Sequence, residues 1–121
     1  MKKFFLFLTA ALAWAAANGC QKSDPQPQYT TDTPALLLDV RSAGEYASGH
    51  LEGAKNIPHQ RIGEQIALVA GNKNTPIYIY CRSGRRVKIA MQTLEKLGYK
   101  NLHDYGSMEN AAKKLDKAVV K

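Results

Sequence analysis

Cysteine is scarce in this chain. Of its 121 residues only Cys20 and Cys81 are cysteines, which excludes a small scaffold held together by several disulfides. Histidine is scarce too: His50, His59 and His103 are scattered, and with one thiol in the body of the chain they do not form metal-ligand spacing. We therefore expect no metal and no cofactor. There is no internal repeat, so stacked-repeat architectures are excluded. No apolar run reaches the ~20 residues a membrane-crossing helix takes; the longest runs from Phe4 to Ala17.

That run, preceded by Lys2 and Lys3 and followed by small residues, has the layout of a secretory signal peptide. Two processing sites fit. Ala15-Ala16-Ala17 suits an ordinary signal peptidase, and Ala17-Asn18-Gly19-Cys20 resembles a lipobox in which Cys20 becomes the lipid-bearing first residue. The polar, proline-rich stretch after it suits a tether. We therefore expect a signal peptide over 1–19, a tether over 20–34 and one folded domain over 35–121, exported and either periplasmic or held at the membrane as a lipoprotein. A disulfide from Cys20 would tie only the leader, and without one Cys81 is a lone thiol in an exported protein.

Without residues 1–19 the chain keeps 15 of its 17 basic residues against 10 acidic ones, a formal charge of +5. A basic surface favours anions; export argues against nucleic acid. Four of those 15 cations, Arg82, Arg85, Arg86 and Lys88, fall within seven positions, a concentration that marks a site.

The pattern of the domain alternates. An apolar run over 35–40 reads as a buried strand, and 41–54 as loop with at most one helical turn near Gly44 to Ala47. A brief strand over 56–59 ends at Pro58, and Ile62, Ile66 and Val69 share one face of a helix over 61–70. Residues 71–76 form a turn and 77–80 a strand. Val87, Ala90, Met91, Leu94 and Leu97 repeat with helical spacing until Gly98 caps the run. A strand over 101–105 and a helix over 107–120 with Ser107 as N-cap complete the chain. Strands alternating with helices predict an α/β fold with a mainly parallel sheet covered on both faces. Ligands of such sheets bind beyond the carboxyl ends of the strands, where Cys81 falls.

The loop Cys81-Arg82-Ser83-Gly84-Arg85-Arg86 joins that strand to a helix. Helix N-termini leave N–H groups free, and a small, glycine-bearing loop curls them into an anion-binding nest. Such a nest favours a thiolate and holds an anion delivered to it, by arginine forks or backbone amides. The residues thus predict a nucleophilic cysteine that meets a negatively charged substrate. No histidine neighbours it, so electrostatics must activate it. Three guanidinium groups set it apart from the buried, inert cysteine that is otherwise the common case.

Two segments resemble the signatures of rhodanese domains. The first runs from Leu36 through Asp39-Val40-Arg41, Glu45-Tyr46 and Gly49-His50 to Asn56-Ile57-Pro58; the second runs from Ile77 through the Cys81 loop to Leu97-Gly98-Tyr99. The resemblance implies a parallel sheet of about five strands. It also implies a sulfurtransferase in which Cys81 takes sulfane sulfur from a thiosulfate-like anion and passes it, as a persulfide, to cyanide or a dithiol, a dithiol protein included. Arg86 would close the loop and hold the oxyanion, Arg82 would help at the rim, and the amides from Arg82 through Ser83, Gly84 and Arg85 to Arg86 would cradle the sulfur. Asp39 and Arg41 would support the site, Asp39 either orienting an arginine or anchoring its loop. His50 is expected to hydrogen-bond structurally, His59 to approach the rim, and His103, Tyr78 and Tyr80 to pack. Two other readings stay open: a non-catalytic persulfide carrier or sensor, and a phosphatase or arsenate reductase of related fold. The Cys-x4-Arg spacing favours sulfur over the Cys-x5-Arg of phosphatases. The chain departs from the resemblance in a very short segment before Asp39 and in Gly106-Ser107 standing where a Gly-Gly pair is usual.

Overall fold

A computed structural model describes residues 34–121. The signal-peptide, tether and Cys20 expectations lie outside the described residues. Strand β1, Leu36–Asp39, leads through a loop to helix α1, Ala43–Ser48, then the two-residue strands β2, His50–Leu51, and β3, Lys55–Asn56. A 3-10 turn at His59–Arg61 opens into α2, Ile62–Val69. Strand β4, Ile77–Cys81, is followed by α3, Arg85–Lys96; β5, Leu102–Ser107, by α4, Met108–Leu115, and β6, Val119–Val120.

The main sheet has the order β3-β1-β4-β5, every pair parallel. Period-two alternation sends alternate side chains to opposite faces. Leu36, Leu38, Ile77, Ile79 and Cys81 point to one face, covered by Ile62 and Ile66 of α2 and by Val87, Ala90 and Leu94 of α3. Leu37 and Tyr80 point to the other, against Leu51, Ala54 and Ala111. Burial on both sides explains why the leucine run of β1, a good helix former by propensity, is a strand. Helix α3 ends in a Schellman motif: Gly98, at φ +96°, donates to the Glu95 carbonyl, and Tyr99 donates to that of Leu94.

Three expectations change. Among the described residues the parallel sheet has four strands where about five were expected. Residues 41–54 hold a capped six-residue helix and β2, where one turn at most was expected. The last helix stops at Leu115, not at 120, because Asp116 turns left-handed at φ 54°. That reversal brings β6 back to pair antiparallel with β2, His50 opposite Val120.

Candidate functional site

Cys81 is the last residue of β4, which runs one position beyond the strand end at Tyr80 that the sequence suggested, and it is fully buried. A bulge between Ile79 and Cys81 breaks the register with β5, so that Cys81 lies opposite Ser107; bulges re-aim side chains next to sites. The loop then curls back on the sulfur. The Gly84 N–H donates to Cys81 Sγ at 2.9 Å. Gly84 caps α3 at φ +94°, and a methyl group placed there would sit 3.4 Å from the Cα of Gly106. Glycine thus serves two needs at this position: the left-handed turn and the close approach of the β5 end.

Of the loop cations, Arg82 and Arg85 are exposed. Arg86 is turned the other way. Its two terminal nitrogens donate to the two carboxylate oxygens of Glu45, Nη1 to Oε1 at 2.7 Å and Nη2 to Oε2 at 3.0 Å. The Arg86 guanidinium, then the Ser42 N–H, hold the Glu45 carboxyl down at about 2, and the same pair raises Arg86. Glu45 also closes the capping box of α1 with Ser42. One carboxylate therefore fixes the start of α1 and the start of α3 together.

Asp39 and Arg41 are buried beside the loop. The Arg41 backbone N–H and Nε donate to Asp39 Oδ1 at 2.8 and 3.0 Å, and its Nη2 donates to Asp39 Oδ2 at 2.7 Å and to the Gly49 carbonyl at 2.6 Å. The bonds to Asp39 raise the Arg41 pKa, and the whole set staples the turn after β1. The arginine that Asp39 orients is therefore Arg41. Tyr80 shares the space: its hydroxyl accepts the Leu51 N–H at 3.0 Å, and burial pushes its pKa up.

Two open clefts flank the loop. One of about 470 Å³ is lined by Arg41, Glu45, Ser48, Arg82, Met108 and Glu109; the other, of about 420 Å³, by Ser83, Gly84, Arg85, Lys88, Asp104 and Gly106. Two of the histidines keep to the frame. His50 Nδ1 bonds the Tyr46 carbonyl at 2.9 Å and its ring stacks on Tyr46; His103 packs on Tyr78. Among the described residues no three His, Cys, Asp or Glu side chains converge on a metal position, and no helix is long and apolar enough to cross a membrane.

The model of the rhodanese-like domain matches residues 24–114. The chain belongs to the rhodanese family. Thiosulfate sulfurtransferase PspE of Escherichia coli (strain K12) is 33% identical over 75 residues, covering 62% of this chain and 72% of PspE. The putative sulfur carrier protein YrkF of Bacillus subtilis (strain 168) is 36% identical over 72 residues, 60% of this chain and 38% of that protein. In three dimensions, a rhodanese with anions from E. coli superposes with a TM-score of 0.66 at 31% identity, over 72% of this chain and 98% of that one.

In this rhodanese the residues singled out by sequence meet at one end of the sheet, Cys81 through Arg86 on the loop and Asp39 with Arg41 behind it. Glu45 was read only as part of a signature, not as part of the site. Its local signal was the Ser42-x-x-Glu45 capping box; that it reaches Arg86, 41 positions away, is a fact of the fold alone.

Proposed function

We propose that this rhodanese moves sulfane sulfur from a thiosulfate-like donor to a thiophilic acceptor through a persulfide on Cys81. One observation carries the reading: a lone sulfur at a strand end with a backbone N–H aimed at it from 2.9 Å, inside a six-residue loop. The Cys81 thiolate attacks the outer sulfur of thiosulfate. The new S–S bond forms as the bond to the sulfonyl sulfur breaks, and that electron pair leaves with sulfite. An acceptor thiolate or cyanide then attacks the terminal sulfur of the persulfide, releasing a new persulfide or thiocyanate and returning the Cys81 thiolate. No external oxidant or reductant is needed.

The Gly84 N–H and the amides from Arg82 to Arg86 hold the charge that the terminal sulfur carries. Arg82, exposed at the cleft that Arg41 also lines, receives the sulfonate end. Arg86, already paired with Glu45, sets the position of the loop more than it binds the donor. Asp39 and Arg41 keep the turn below it rigid.

Names among the relatives support two versions of this chemistry, a turnover enzyme as in PspE and a carrier as in YrkF. The phosphatase and arsenate reductase alternatives draw no support from the Cys-x4-Arg spacing. We further propose that residues 1–19 direct export and that Cys20 carries lipid. The deciding experiment is intact-mass measurement after incubation with thiosulfate. A gain of one sulfur, about 32 Da on a covalent intermediate, absent in Cys81→Ser, supports the persulfide. Steady thiocyanate production with cyanide then marks the enzyme, a persulfide without turnover marks the carrier, and an unchanged mass rejects both.

A further inference from the structure

Helix α3 opens with Arg85-Arg86-Val87-Lys88 and has no acidic residue in its first turn, whereas α1, α2 and α4 carry Glu45, Glu64 and Glu109 there. Cations at a helix N-terminus oppose its dipole, so these charges do not serve the helix. Arg86 is neutralised by Glu45. Lys88, with a side chain 75% exposed, pairs among the described residues only with Asp104, at 3.7 Å. Arg82 and Arg85 are exposed and make no ion pair among the described residues.

Arg85 and Lys88 of α3 line the cleft of about 420 Å³ on the β5 side of the loop together with Asp104 of β5, while Arg82 lines the cleft on the other side. Thiosulfate is a compact dianion and fills a small part of such a space. Cations spread from Arg82 to Lys88 match several carboxylates spaced along a chain better than one small ion.

We propose that this cleft and the two cations that line it, Arg85 and Lys88, with Arg82 exposed at the neighbouring cleft across the loop, dock an acidic stretch of polypeptide that carries the sulfur-accepting thiol. The proposal rests on the sulfur-transfer reading and names how the acceptor is recognised. Carboxylates on both sides of the acceptor cysteine pair with the rim, and the thiol is delivered to the loop that covers Cys81. Charge complementarity of this kind raises the encounter rate and selects the partner.

Two measurements test it. In the first, fluorescence anisotropy follows a labelled peptide with glutamates on both sides of a serine, so that binding is read without transfer. We expect the protein to bind it about tenfold more tightly than the glutamine version, and the preference to collapse in Lys88→Glu and at high salt. Amide NMR shifts should fall on Arg82–Lys88 and Asp104–Gly106. Thermal melting of Lys88→Glu confirms that this exposed position leaves the fold intact. In the second, the preformed persulfide is offered the cysteine forms of the two peptides and glutathione, and the acidic peptide should be sulfurated fastest. Equal binding of the two peptides, shifts mapping to another face, or glutathione serving as well as the acidic peptide overturns the proposal. So does Lys88-dependent binding to phosphatidylglycerol vesicles without binding to the peptide, which would assign the patch to lipid. Failure of the sulfur-transfer reading shows separately, as no mass gain with thiosulfate, and leaves the binding result readable.

Discussion

A guanidinium that is already paired does different work from a free one, and Arg86 is paired. Its two bonds to Glu45 fix the first turn of α3, and with it the Gly84 N–H that meets the sulfur. Glu45→Gln keeps the shape and removes the charge. We expect kcat/KM to fall about tenfold, mainly through kcat, because small misplacements of reacting groups are costly; an effect confined to KM would show that Glu45 tunes donor binding instead. The same pair has a pH signature. The Glu45 carboxyl lies at about 2 in the fold against 4.5 ordinarily, chiefly because of Arg86. Its contribution to stability is therefore complete above about pH 4.5 and is lost as pH falls toward 2. Melting temperatures measured through that window should drop more for the natural chain than for Glu45→Gln. Cys81 and its arginines were legible in the sequence because the loop is contiguous: spacing, small residues and charge all lie within six positions. The Glu45 contact was not, since its partners are brought together only when β1 and β4 pair.

Elements set the shape of the loop, and two of them can be disturbed separately. Gly84 sits at φ +94° against Gly106. Alanine there meets the left-handed penalty of about 1–2 kcal/mol as well as the neighbouring backbone. We expect Gly84→Ala to lower denaturant stability by about that amount and to slow persulfide formation, measured by mass against time. Gly44→Ala, with open space around it and an ordinary φ, is the control that should do neither. At the opposite face of the sheet, Tyr80→Phe removes the oxygen that accepts the Leu51 N–H. Leaving that buried donor unpaired should cost about 1–3 kcal/mol, loosening β2 from β4. The buried phenol also resists ionisation, so its stabilising effect is whole below pH 10 and fades as the pH rises through its raised pKa; alkaline titration of Tyr80→Phe should lack that loss. Strands β1 and β4 and helices α2 and α3 could be read from the sequence because each carries a full period of apolar residues. Helix α1, β2 and β6 could not: α1 buries none of its residues, and a two-residue strand has no period to read. Val119–Val120 therefore passed for the tail of a helix until the turn at Asp116 showed otherwise.

At the scale of the whole molecule, the proposed export and lipid anchoring can be tested apart from the site. Lys2, Lys3, the apolar run and Gly19-Cys20 support export with Cys20 as the lipid-bearing first residue. On that reading 15 residues, 20–34, link the lipid to the domain. We therefore expect the natural chain to fractionate with membranes in the host that exports it, with an N-terminal residue at position 20 and a mass raised by acyl groups. Cys20→Ala should move it to the soluble fraction, processed near Ala17, with unchanged turnover of thiosulfate in solution, because Cys20 lies outside the matched rhodanese segment 24–114. An unmodified N-terminus near residue 18 in the natural chain would remove the anchor from this picture. A loss of persulfide formation in Cys20→Ala would be more serious, since it would make Cys20 a partner of Cys81 in the chemistry and end the case for a single working thiol.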